Sequence, residues 1–316
     1  MALDLLTFGE ALVEVMRTEV SRPLDRPALF TGPYPSGAPF IFTVQAARLG
    51  AQAGAVGAVG ADKFGKCLLD QLEADGVDRR GVHTLTDYTT GVAFIAYNDD
   101  GSRDFVFHAR HAAAGQLSPK MLTPELFDGL RCLHVTGSAL SMHDGALQTG
   151  LRALEMAQAV GAKISFDPNI RPQLLSPERA KDVFAPFIAA ADVLMPTEQE
   201  LQFLVGVPDT AQAVDLLRRA NPDKLIVMTK GADGCTVWHS EISDVPGFSV
   251  EEVDPTGAGD CFDAGFLVRW LAGDDPVKAA RFANACGALA VTAMGPMAGA
   301  KHLSEVQAFM EAYHAN

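Results

Sequence analysis

The residues best suited to chemistry fall in one run, Asp254-Pro255-Thr256-Gly257-Ala258-Gly259-Asp260-Cys261-Phe262. Pro255 removes a backbone donor, and Gly257 and Gly259 are poor helix formers, so the front of the run reads as loop. Beyond it Phe262, Phe266, Leu267 and Trp270 recur at helical spacing, which predicts a helix beginning inside the glycine pair. Gly257, Ala258 and Gly259 then form its first turn, where amides lacking internal partners and the positive end of the dipole attract an anion. Residues without bulk let a phosphate come close to those amides. Asp260 is the odd member, because a carboxylate repels such an anion. A base there could take the proton from an attacking hydroxyl while the amides hold the transferring phosphoryl group. The plainer alternative is an acid that only favours the helix terminus.

Other elements must carry this loop to a cleft. From Arg131 onward, apolar strand-like segments at 133–136, 164–167, 193–195 and 225–229 alternate with helical ones. That rhythm implies right-handed parallel crossovers and helices on both faces of a sheet. Ligands then sit beyond the carboxyl ends of the strands. Asn169 and Arg171 follow one such strand and could hold substrate hydroxyls or phosphate, or else form a helix-start turn with an ion pair. Residues 197–200 follow another, and Thr229, Gly231 and Gly234 a third.

The first half is more irregular. Residues 3–8 read as a buried strand that 9–14 continue, with Glu10 and Glu14 where a core strand would be apolar. Glu14 is either a functional acid or an exposed residue on an alternating strand. The Pro- and Gly-rich stretch 22–39 predicts loop or irregular edge strand, followed by a helix over 42–49 that stops at Gly50. Residues 54–60 combine small and β-branched side chains, as in a buried strand packed closely on a helix. Gly60 to Lys66 nearly spells a phosphate-binding P-loop, but Cys67 stands where Ser or Thr would ligand Mg²⁺. Residues 89–104 alternate around Asn98-Asp99-Asp100-Gly101-Ser102, a hairpin that must pack on something to be stable.

Bulk properties exclude several classes. With 25 Lys and Arg against 39 Asp and Glu, the net charge of −14 disfavours nucleic-acid or anionic-membrane binding. The length of 316 residues suits one large domain with a small appendage. Cys67, Cys132, Cys235, Cys261 and Cys286 lack the spacing of a disulfide framework or zinc site and are expected as reduced thiols. His108, His111, His134 and His143 show no metal-ligand spacing. The start of the chain has no basic region before its apolar residues, and a cytoplasmic location is expected.

The run 254–262 resembles the C-terminal signature of the PfkB (ribokinase-like) carbohydrate kinases, departing from it at Pro255. Ser36-Gly37-Ala38-Pro39 is similar to their N-terminal signature, with Ser36 for the first glycine and Ile41 for its asparagine. The resemblance implies a ribokinase-like three-layer α/β/α fold with a mainly parallel sheet. It further implies a single domain over 1–316 with a small β lid built from segments near 10–40 and 88–110, and a homodimer through that lid. In such a kinase Asp260 is the catalytic base, and Gly257, Ala258 and Gly259 form the anion hole for the γ-phosphate of ATP. Glu14, Gly37, Asn169, Arg171 and, on the lid, Arg110 would bind sugar. Thr229, Gly231 and Gly234 would form the nucleotide turn, with adenine near Asn284. Glu200 would support Mg²⁺ through water, although Thr197 departs from the family's asparagine. Asp254 and Thr256, with the loop 290–296, would hold a monovalent cation such as K⁺.

The implied acceptor is a ketohexose such as tagatose or fructose. A 2-keto-3-deoxygluconate kinase is the near rival: such enzymes hold a carboxylate with lid Tyr and Arg, where this chain has Phe107, His108, Ala109 and Arg110. A catalytically silent sugar- or nucleotide-binding regulator is the rival from another class, and the retained Asp260 speaks against it.

Overall fold

A computed structural model describes residues 2–314, whose strands divide between two sheets. The strands are β1 (Leu5–Phe8), β2 (Leu12–Arg17), β3 (Phe30–Ser36), β4 (Ala53–Gly60), β5 (Asp78–Leu85), β6 (Gly91–Tyr97), β7 (Arg103–His108), β8 (Cys132–Thr136), β9 (Lys163–Asp167), β10 (Val193–Leu194), β11 (Leu225–Thr229), β12 (Gly234–Trp238) and β13 (Ile242–Pro246). The large sheet runs β13-β12-β11-β10-β9-β8-β1-β4-β5 and the small one β3-β2-β6-β7. Pairing in the large sheet is parallel from β11 through to β5, and antiparallel only where β12 and β13 extend it.

The helices are α1 (Ala38–Arg48), α2 (Lys63–Ala74), α3 (Gly137–Ser141), α4 (Asp144–Ala159), α5 (Pro177–Ala190), α6 (Glu198–Val205), α7 (Thr210–Ala220), α8 (Ala258–Leu271), α9 (Pro276–Ala290) and α10 (Leu303–His314). They cover both faces of the large sheet. On one face Phe166 of β9 packs on Phe184 and Phe187 of α5, at 5.4 and 5.9 Å between centroids. On the other, Phe42 of α1 and Phe262, Phe266 and Leu267 of α8 share a core cluster with Leu5, Val193 and Val227. Burying a Phe or Leu side chain is worth roughly 1.5–3 kcal/mol, so α8 is held by its apolar residues and not by its glycine-rich start.

Two sequence expectations need correction. The strand over 3–8 does not continue through 9–14: β1 stops at Phe8, Gly9 turns with φ 149°, and β2 leaves for the small sheet. Glu10 and Glu14 therefore stand at a crossing between two sheets, which is why acids are tolerated in an apolar stretch. Helix α1 also begins earlier than residue 42, because Pro39 sits in its first turn, where a missing amide hydrogen costs nothing. The expected edge strand and hairpin are β3 and the β6–β7 pair.

The chain order of the large sheet reverses at β1, which lies between β8 and β4. In an open α/β sheet a ligand crevice forms at such a reversal, beyond the carboxyl ends of the strands.

Candidate active site

The crevice is present at that reversal as a cavity of about 220 Å³. Its walls come from four places: the ends of β1, β8 and β9, which supply Glu10, Ser138, Asn169 and Arg171; β2, the end of β3 and the turn into α1, which supply Glu14, Ser36 and Gly37; β7, which supplies Arg103; and the loop into α8, which supplies Thr256 to Asp260.

Gly257 caps α8 in the left-handed conformation at φ 86°, and a Cβ there would lie 2.6 Å from the carbonyl oxygen of Pro296. Glycine is therefore required on both backbone and steric grounds. Gly259 faces open space, since a Cβ there would meet nothing within 4 Å. The first turn of α8 thus presents backbone amides to the cavity with no side chain in the way at Gly259, the amide of Ala258 reaching back to the Pro255 carbonyl at 3.5 Å. Gly37, at φ 109°, has no room for a Cβ against the carbonyl oxygen of Glu10.

Three acids share this cavity, each largely removed from water. Glu10 is 6% exposed, Glu14 7% and Asp260 8%. Glu10 Oε1 accepts from Ser138 Oγ at 2.9 Å, and Glu14 Oε1 from Ser36 Oγ at 2.6 Å. The second oxygen of each glutamate, like Oδ1 of Asp260, is buried without a protein partner. Burial raises the Asp260 carboxyl to about 7; Arg171 opposes the rise, and Glu10 and Glu14 add to it. Burial likewise raises Glu14 to about 7, against the hydrogen bond from Ser36, and raises Glu10. Arg171 is the shared counter-charge, stabilising the ionised form of all three. A carboxyl titrating near neutrality is suited to accept a proton from a hydroxyl and to release it afterwards.

The loop preceding α8 is braced from the small sheet and from the tail. Asp254 is fully buried, and its Oδ1 accepts from Tyr97 OH at 2.7 Å and from the Thr256 amide at 3.0 Å. Its Oδ2 accepts from the Gly295 amide at 2.9 Å. Arg103 Nη1 donates to Thr256 Oγ1 at 3.1 Å. Both carboxylate oxygens of Asp254 are therefore engaged by protein donors, so ligands for a monovalent cation would have to come largely from backbone carbonyls.

Other expected site residues lie apart. Arg110 is exposed and does not line the cavity; its Nε donates to the carbonyl of Met142 at 3.0 Å. Arg103, earlier on the same strand pair, occupies the wall instead, because the alternation of β7 turns positions 103, 105 and 107 to one side. Glu200 is committed to local structure. Its Oε2 accepts from the amide and hydroxyl of Thr197, both at 2.9 Å, completing a capping box on α6, and its Oε1 accepts from the Ile170 amide at 2.8 Å. Asn284 is neither exposed nor open to a ligand through its amide nitrogen, which donates to the carbonyls of Val245 and Pro246 at 3.0 and 3.1 Å. Thr229, Gly231 and Gly234 form the β11–β12 turn as expected, with Gly231 and Gly234 at positive φ.

The residues present fit a nucleotide carrying its own cation. The glycine-flanked N-terminus of α8 suits a terminal phosphate. Among the described residues no three His, Cys, Asp or Glu side chains form a metal cage, so a Mg²⁺ ion here would be held mainly by phosphates and water, its usual preference.

Comparison with known proteins agrees with this geometry. The model of the pfkB family carbohydrate kinases matches residues 3–303. The chain is 33% identical to fructokinase-1 of Zea mays over 97% of both chains. It is 37% identical to an Escherichia coli protein provisionally described as a ribokinase II and solved with ATP and Mg²⁺, with a TM-score of 0.93 over 99% of this chain and 100% of that one. A Vibrio cholerae fructokinase double mutant solved with fructose, ADP and a potassium ion is 27% identical, with a TM-score of 0.78 over 98% of both chains. The fold is ribokinase-like, and the chain belongs to the pfkB family of carbohydrate kinases and is an ATP-dependent sugar kinase.

Proposed function

We propose that the acceptor is an uncharged ketohexose such as fructose or tagatose, phosphorylated on a primary hydroxyl. The observation that carries this reading is the shared cavity: Asp260, Gly257 to Gly259 at the start of α8, and the acids Glu10 and Glu14 all line it. Asp260 accepts the proton of the attacking hydroxyl. Gly257, Ala258 and Gly259 hold the developing negative charge of the transferred group. Bound Mg²⁺ would supply neutralisation of the nucleotide phosphates. Arg171 keeps Asp260 from rising beyond the neutral range, and Asn169 and Gly37 complete the acceptor side of the wall. The small sheet β3-β2-β6-β7 acts as a lid within a single kinase domain, excluding water through contacts such as Tyr97 to Asp254. The exposed apolar residues Val106 of β7 and Leu29, just before β3, at 52% and 72% exposure, suit a homodimer through the lid. The nucleotide would extend toward the β11–β12 turn at Thr229, with adenine near α9, and Glu200 would act on Mg²⁺ through water while serving its helix cap. The Vibrio fructokinase with potassium supports a K⁺ site beside Asp254 and Thr256.

The second reading, a 2-keto-3-deoxygluconate kinase, is favoured by two arginines at the cavity, Arg103 and Arg171, that could pair with a carboxylate. An ATP-coupled assay over ketohexoses, 2-keto-3-deoxygluconate and nucleosides separates the readings. The ketohexose reading expects the highest kcat/KM for fructose or tagatose; a keto-acid preference would replace it with the second. No acceptor-dependent ADP release in the whole panel would favour a silent binder.

A further inference from the structure

The small sheet grips the loop before α8 through one cross-strand pair. Tyr97 ends β6 and Arg103 opens β7, and the two are register partners across the hairpin turn 98–102. Both reach out of their sheet to that loop. Tyr97 OH donates to Asp254 Oδ1 at 2.7 Å, and Arg103 Nη1 donates to Thr256 Oγ1 at 3.1 Å. Tyr97 OH and Thr256 Oγ1 lie 3.4 Å apart, which links the two bonds. Both oxygens of Asp254 accept, so the Tyr97 proton is the one shared with it. The Thr256 hydroxyl, accepting from Arg103, is then left to donate to the Tyr97 oxygen. The result is a directed chain, Arg103 to Thr256 to Tyr97 to Asp254, each bond of which crosses between small sheet and loop. Hydrogen bonds in such a series polarise and strengthen one another. Burial raises the Tyr97 hydroxyl, with Asp254 adding to the rise, so the phenol keeps the proton it donates. Asp254, fully buried, also binds the amides of Thr256 at 3.0 Å and Gly295 at 2.9 Å. It thereby ties the loop to the tail immediately before Gly257 turns into α8. Neither Tyr97 nor Asp254 lines the cavity, so neither touches the acceptor there.

We propose that Tyr97 is a positioning residue for phosphoryl transfer: through Asp254 it makes the placement of the Gly257 to Gly259 turn depend on the seating of the lid hairpin. With the hairpin seated, the chain of four side chains is complete and the turn is held. With the hairpin lifted, Asp254 keeps only its two backbone amides and Thr256 loses Arg103. A turn displaced by a fraction of an ångström no longer meets the transferring group well, and transfer slows although the acceptor still binds. The inference rests on the reading of the small sheet as a lid and holds whichever sugar is the acceptor. No motif marks Tyr97; the register of β6 on β7 and the two bonds to the loop do.

The test compares wild type with Tyr97→Phe, which keeps the ring and removes the hydroxyl. Ser21→Ala is the control: it removes a bond internal to the lid, Ser21 Oγ to Asp99 Oδ2 at 2.6 Å, without touching the loop. Kinetics use the best acceptor of the panel above with ATP and Mg²⁺, well below the midpoint of each variant's thermal melt. Losing a hydrogen bond to a charged group costs about 10- to 100-fold, so kcat of Tyr97→Phe should fall by about that factor. Because Tyr97 lies outside the cavity wall, the acceptor KM should stay within about threefold. Hydrogen–deuterium exchange of residues 254–260 in the ligand-free protein should quicken by about tenfold in Tyr97→Phe and stay unchanged in Ser21→Ala. Thr256→Val cuts the chain at its next link and should quicken exchange in the same segment, which keeps the proposal testable should Tyr97→Phe fail to fold. A kcat within about threefold of wild type, a fall in kcat with exchange of 254–260 unchanged, or a raised acceptor KM with kcat unchanged would each overturn the proposal while the ketohexose reading stands. If wild type turns over no ketohexose, the ketohexose reading fails and the exchange of 254–260 alone decides the role of Tyr97.

Discussion

Replacing Asp260 with Asn should stabilise the protein at alkaline pH while disabling it. Its carboxyl titrates at about 7 in the folded chain against an ordinary value of 3.8, because burial penalises the charged form. For an acid whose folded pKa is raised, stability is greatest below the unfolded value and is lost as pH climbs to the folded one. Each unit of separation corresponds to about 1.36 kcal/mol, so ionising Asp260 in the fold costs at most about 4 kcal/mol at pH 8. At pH 5 the cost is about 1.6 kcal/mol, since only the unfolded carboxyl is then ionised. Asp260→Asn escapes this cost. Its stability relative to wild type should therefore improve by about 2 to 3 kcal/mol between pH 5 and pH 8, or on the order of 5 °C in Tm. Thermal melts of both proteins without ligand, at the two pH values, give the comparison. A difference between variant and wild type that is the same at pH 5 and pH 8 would refute the reasoning.

The same charges predict the pH dependence of catalysis. In wild type kcat/KM should rise with pH through about 7 as Asp260 loses its proton; Arg171→Gln should move this limb upward and Glu14→Gln downward, each by about one unit. Opposite shifts in a pH–rate series would overturn the assignment of these two neighbours. Gly257→Ala places a Cβ against Pro296 in a left-handed backbone, so kcat should fall by about 10²- to 10³-fold through a distorted anion hole, with KM for the sugar changed much less. Steady-state kinetics in both substrates checks the split.

Much of the fold was readable because its signals are local. The spacing of Phe262, Phe266, Leu267 and Trp270 marked α8 and hence the place of its first-turn amides, and the alternating segments after Arg131 marked a parallel sheet. What could not be read depends on pairings distant in sequence. Nothing near Glu10 announces Ser138, 128 positions later, as its partner. The break between β1 and β2 was hidden because it takes only three residues, Gly9 to Ala11, with buried strands on either side. Resemblance points to Arg110, whereas counting the two-residue period back from Phe107 and Phe105 reaches Arg103, which lines the cavity. Thr197 and Glu200 did carry a local signal, the three-residue spacing of a capping box, which explains why a threonine stands there.

In the proposed reaction Asp260 is the proton acceptor at the N-terminus of α8. Rapid-quench, single-turnover phosphoryl transfer from ATP to the best ketohexose acceptor, measured at pH 8 for wild type and Asp260→Asn, tests it most directly. A rate lower by about 10²- to 10⁴-fold with sugar and ATP still bound is the expected result. A rate within about threefold of wild type would contradict it.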